Sequence, residues 1–152
     1  MNIDEILHTP FSFIKRSEFI PCDTRPLWKS CLLILILGIT GRNSKCSLKK
    51  IHTANWLTKK NAHYDEIFAW SKGQIKVSPN VRLEPSIDRA IDLLTALNYV
   101  NKNDGKVELT ESGERFFSQI ESTDVFSEEK NTLRKASKLL SEAAIDRLFK
   151  AG

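Results

Sequence analysis

Most of this chain alternates apolar and polar positions in a helical rhythm. The strongest departure is Cys31 to Ile39, "CLLILILGI", where no polar side chain occurs. Ile34, Ile36 and Ile39 are β-branched and suit a strand. The punctuation is helical: Asp23 and Thr24 are N-cap types, Pro26 fits a first turn, and Gly38 and Gly41 supply stop positions. Pro26 to Ile39 is long for a strand, so the pattern predicts a core helix, apolar on nearly every side and covered on several faces. A membrane span needs about 20 apolar residues. Lys29 and Ser30 cut the run on one side and Thr40 to Lys45 on the other, so no membrane contact is expected.

The flanking pattern sets the other elements. Residues 1–25 read as an N-terminal arm, with Phe11, Phe13, Ile14, Phe19 and Ile20 in no clean period. After the loop "GRNSK", Ser47 caps a helix from Leu48 to about Lys59, with Leu48, Ile51, Ala54 and Leu57 on its apolar face and His52 on its surface. A third helix is expected from Ala62 to Lys72, capped by Asn61, with Tyr64, Ile67 and Phe68 inward. Ile75–Val77 and Val81–Leu83 are strand-like tracts punctuated by Pro79 and Pro85. From Pro85 to about Leu97, Ile87, Ile91, Leu94 and Leu97 form a helical stripe. Two strands, Tyr99–Asn101 and Lys106–Leu109, flank "NDG", a hairpin signal. Thr110 then caps "ESGERFFSQIE". The tail is helical from Ser127, with Leu133, Ala136, Leu140, Ala144 and Leu148 in a stripe and a break near Ser141.

This order predicts a mainly α protein with a small β-hairpin, an α+β fold. Residues 1–25 are the arm, 26–121 the domain and 122–152 an amphipathic helical extension. Hydrophobic content of 41% and charged content of 28% over 152 residues suit an ordinary globular domain. Cys22, Cys31 and Cys46 are odd in number and form no C-x-x-C pair, which favours a reducing, cytoplasmic setting. No signal-peptide pattern opens the chain.

Charge changes the picture. The net charge of +4 hides an interval from Asp23 to Asp65 that holds no acid between its ends. Arg25, Lys29, Arg42, Lys45, Lys49, Lys50, Lys59 and Lys60 fall inside it. Such clustering suits nucleic acid, an acidic protein partner or a solvated face. With Lys102 and Lys106 of the hairpin, Arg42, Lys45, Lys49, Lys50, Lys59 and Lys60 are the candidate contacts to double-stranded DNA.

Catalytic chemistry is not supported. The His and Cys residues lack zinc-type spacing, and the chain carries no G-x-S-x-G, no P-loop and no G-x-G-x-x-G. Asp65 and Glu66 are adjacent on a helix and point apart. No enzyme, metal or cofactor is expected. Trp28, Trp56 and Trp70 suit core packing, with Trp70 the best candidate for an interface. The tail stripe, with Leu133, Leu140 and Leu148, suits a partner, a second copy of the chain, or a return onto its own domain.

The element order, and "LLTALNYVNKNDGKVELTESGERFF" within it, resembles the wing segment of the winged-helix superfamily over about residues 26–121. "LTESGERFF" is similar to the LTxxGxxF ending of many such domains. The fold serves DNA readers and protein adaptors alike. Here the helix before the wing, "PSIDRAIDLLTALN", offers Arg89 as its one base beside Asp88 and Asp92, which argues against base readout. A narrower resemblance rests on Arg25, Pro26, Leu27, Trp28, Gly41, Arg42, Asn43 and Trp56. "TRPLWKSCLLILILGITGRNSKCSLKKIHTANWLTKK" resembles the opening of the middle components of bacterial three-component defence systems with SMC-like ATPases, Lamassu among them. The resemblance implies a non-catalytic accessory subunit, with an SMC-like ATPase and an effector nuclease as partners. The alternative is a dimeric winged-helix transcriptional regulator.

Overall fold

The computed structural model describes residues 25–150, so the expected N-terminal arm lies outside the described residues except for Arg25. It is mainly helical with a small antiparallel sheet. Helix α1 (Pro26–Thr40) leads through a tight turn to β1 (Lys45–Ser47), α2 (Leu48–Lys59) and α3 (Asn61–Ser71). An irregular strap follows, then α4 (Pro85–Ala96) and the hairpin β2 (Val100–Asn103) and β3 (Lys106–Leu109). Helices α5 (Glu111–Glu121), α6 (Ser127–Ala136) and α7 (Glu142–Lys150) complete the described chain.

Helix α1 is the axle of the molecule. Leu32 to Leu37 are fully buried, because α2, α4, α5, α6 and β3 cover the helix on different sides. That coverage removes the need for a polar face and explains the unbroken apolar run. Pro26 occupies the first turn as expected, but the N-cap is Arg25, whose side chain makes no cap bond. Near the other end, a Cβ on Gly38 would overlap the Phe117 ring of α5, so the glycine lets that ring lie against the α1 backbone.

The sheet has the order β1–β3–β2, antiparallel throughout. The hairpin forms where "NDG" predicts it, with Asp104 and Gly105 both at positive φ. Strand β1 falls where a loop was expected. Asn43 and Ser44, also at positive φ, turn the chain tightly enough for Arg42 to bridge Lys45, and β1 then pairs with β3. The tracts Ile75–Val77 and Val81–Leu83 form no strands. A strand needs a neighbour, and here Pro79 and Val81 pack beside Leu148 and Phe149 of α7 instead.

Two of the expected side-chain caps are present, whereas Asn61 is the first residue of α3, whose N-cap is Lys60 with no side-chain cap bond. Ser47 Oγ accepts from the Lys50 N–H at 3.2 Å, and Thr110 Oγ1 from the Gly113 N–H at 3.1 Å. The tail breaks between α6 and α7, around Ser141 as expected, and both helices return onto the domain. Leu133, Ala136, Leu140, Ile145 and Leu148 join the same core as α1 and α2. Buried Lys130 fastens this return. Its ammonium donates to the carbonyls of Ile120 at 2.8 Å and Thr123 at 2.6 Å, satisfying the open end of α5. No helix among the described residues is long and apolar enough to cross a membrane.

Candidate nucleic-acid interface and partner surfaces

The basic residues separate into two groups. Arg42, Lys45, Lys102 and Lys106 lie exposed on the small sheet and its turns. The register sets Lys45 directly opposite Glu108, and Lys106 opposite Ser47. A carboxylate therefore sits within this cluster and weakens its field. Exposed Lys49 begins α2, its ammonium 5.6 Å from the centre of the Phe149 ring. Lys59 and Lys60 lie at the far end of α2, about 15 Å along the helix axis.

Lys50 does not belong to the surface. It is only 4% exposed, a correction to its expected role as a DNA contact. Residues 50–57 are all buried, because α1, α3, α6 and α7 enclose α2 on several sides. A step of one residue from Lys49 turns the side chain by about 100°, from the exposed face to the enclosed one. His52 is likewise buried rather than on the helix surface.

Lys59 is committed to an ion pair with Glu84 at the end of the strap. Glu84 also meets Lys29, whose ammonium lies 3.4 Å from one carboxylate oxygen and donates to Asn55 Oδ1 at 2.8 Å. Lys29, in the middle of α1's first half, is 1% exposed. The Glu84 N–H donates to His52 Nδ1 at 3.2 Å, while His52 Nε2 lies 3.6 Å from Asp88. Burial pushes the His52 pKa down, and the Asp88 carboxylate opposes that shift. These groups form a structural lock that ties the strap to α1 and α2. The lone Lys29 inside an apolar helix was the available sequence signal, but its partners lie too far along the chain to read from a pattern.

The expected docking residues also have fixed places. Trp70 is half-buried and packs against the core. Leu133, Leu140 and Leu148 are at most 5% exposed. Their apolar surface is already covered, so a partner reaches it only by unseating the tail. The exposed apolar side chains are different ones. Leu93 projects from α4 and Leu97 from its C-terminal cap, and Val77 and Leu83 from the strap. Leu97 was expected in the core stripe, but that helix ends at Ala96 and Ala90 takes the inward position.

Cys31 and Cys46 suit packing rather than reactivity. Burial raises the Cys46 thiol pKa, against a smaller opposing effect of its hydrogen bond to Thr40. Thr40 Oγ1 donates to the Ile36 carbonyl at 2.6 Å and lies 3.7 Å from Cys46 Sγ. Burial also raises Cys31. Among the described residues, no group of three or more His, Cys, Asp or Glu side chains is placed to hold a metal ion.

Comparison with protein-family models, with curated proteins and with solved structures returned no match.

Proposed function

We propose that this chain is a non-catalytic winged-helix accessory subunit that works by protein contact, bridging an SMC-like ATPase and an effector nuclease in an antiviral defence complex. DNA contact is nonspecific and secondary. The observation that carries the choice of adaptor over DNA reader is the character of the exposed helix faces. α4, the helix preceding the hairpin, presents Asp88, Arg89, Asp92, Leu93 and Leu97. α3 presents Asp65, Glu66 and Phe68. A face that enters a DNA groove needs cations and donors aimed at phosphates and base edges. Carboxylates beside exposed leucines suit a protein surface better. The winged-helix assignment is supported by the sheet order β1–β3–β2 with α1, α2 and α4 preceding the hairpin.

The test is a tagged pull-down from the native host after nuclease treatment, read by mass spectrometry. The expected result is a stoichiometric large ATPase. Recovery of the chain alone or only with itself favours the regulator. The DNA component is tested with the full chain and its complex. Lys45→Glu with Lys106→Glu is expected to lower affinity for an arbitrary duplex several-fold and to flatten its salt dependence. Unchanged binding by that variant would leave the sheet as a docking or idle surface.

A further inference from the structure

A polar groove of about 590 Å³ opens where α2 hands over to α3. Lys60 and His63 line it together with Arg82 of the strap. Each is placed by local structure. Lys60 is the extended residue between two helices, with φ −148° and ψ 139°. Arg82 is exposed on the strap, next to Val81, which packs on the core. The strap is held by buried Pro79 on one side of Arg82 and the Glu84 lock on the other. His63 lies flat on Trp56, with ring centres 3.9 Å apart and planes 7° from parallel. Its Nδ1 is 2.7 Å from the Trp56 carbonyl, which can only accept. Nδ1 therefore carries the proton, and Nε2 is the ring's remaining polar atom.

The charges in the groove are unequal in availability. Glu84 is neutralised by Lys59 and Lys29. Lys60 and Arg82 have no ion-pair partner among the described residues and stand opposed by Glu66 alone.

We propose that this groove is a phosphate clamp. A phosphate group sits between Lys60 and Arg82 with His63 beside it, supplied either by a DNA backbone or by a small phosphate ligand. Only the DNA source rests on the DNA-contact reading above. Phosphate suits the site better than a base because Trp56 is 6% exposed and offers no open ring face for stacking.

The full chain, isotopically labelled, is titrated by NMR with sodium pyrophosphate, with an arbitrary 16-base-pair duplex, and with poly-L-glutamate. Pyrophosphate or duplex should shift the amides of Asn61, Ala62 and Arg82 and the ring signals of His63. Lys60→Glu and Arg82→Glu, both exposed changes with an unchanged melting curve as control, should each weaken binding about tenfold. If the duplex is the ligand, each should reduce its salt slope by about 0.9. Glu66→Gln should tighten binding. Shifts from pyrophosphate without duplex binding keep the clamp and remove the DNA source. Duplex binding that survives both groove reversals and is lost in the Lys45→Glu, Lys106→Glu variant overturns the clamp and keeps the DNA reading. Equal shifts with poly-L-glutamate overturn phosphate in favour of a carboxylate ligand, and no shift from any probe overturns the site.

Discussion

At the scale of single residues, His52 shows how burial turns a titratable group into a structural one. Its Nδ1 must stay unprotonated to accept the Glu84 N–H. Burial lowers its pKa below the ordinary value of 6.5, with Asp88 opposing. The unfolded chain therefore binds the proton more readily than the folded one. The sign follows: His52 destabilises the fold as pH drops below about 6.5, and that loss levels off beneath the folded-state pKa. Replacing His52 by Gln is expected to flatten stability against pH between about 7 and 5, measured by denaturant unfolding. An unchanged profile would place the pH dependence elsewhere. The protection of the Glu84 amide, relative to its intrinsic exchange rate at each pH, should fall over the same interval in the native protein. Sequence pattern marked His52 as a surface residue because its neighbours Lys49 and Lys50 are basic. Its burial depends on the strap, whose approach leaves no periodic trace.

At the scale of elements, agreement was closest where structure is local. The α2 boundaries, the Ser47 and Thr110 caps, the Asp104–Gly105 turn and the core character of α1 all depend on residues within a few positions of one another. Strand β1 was not legible, because three residues carry no pattern and its partner β3 lies beyond three helices. The contact between α1 and α5 gives a prediction at this scale. Gly38→Ala would ordinarily favour a helix by about 1 kcal/mol. Here the new methyl meets the Phe117 ring, so net destabilisation of roughly 1–3 kcal/mol is expected from chemical denaturation. Pairing it with Phe117→Leu should recover part of that loss. Additive losses in the double variant would mean that the ring is not the cause.

For the whole molecule, the tail decides how the chain can meet a partner. With Leu140 at 1% exposure, Leu140→Asp buries an unpaired carboxylate and should cost more than about 3 kcal/mol. The expected result is a large fall in melting temperature of the isolated protein. Lost complex formation with no change in melting would instead assign Leu140 to a partner surface. Leu93→Asp and Leu97→Asp on α4 supply the contrast. Both side chains are more than 40% exposed, so melting should hardly move while association with the proposed ATPase partner weakens.

Read alone, the sequence determined the helices, the Ser47 and Thr110 caps, the hairpin and the interval rich in bases. Each follows from periodicity, backbone preference or composition over a short span. Tertiary structure decided which cations reach solvent. It took Lys29 and Lys50 inside, tied Lys59 to Glu84, and brought Lys60 and Arg82 to one groove. It also turned the amphipathic tail onto its own core. A helix stripe records that an apolar face must be covered, but the covering surface is chosen by three-dimensional packing. Charge follows the same rule, since a lysine's sequence neighbours do not determine whether its ammonium meets water, a carboxylate or a carbonyl.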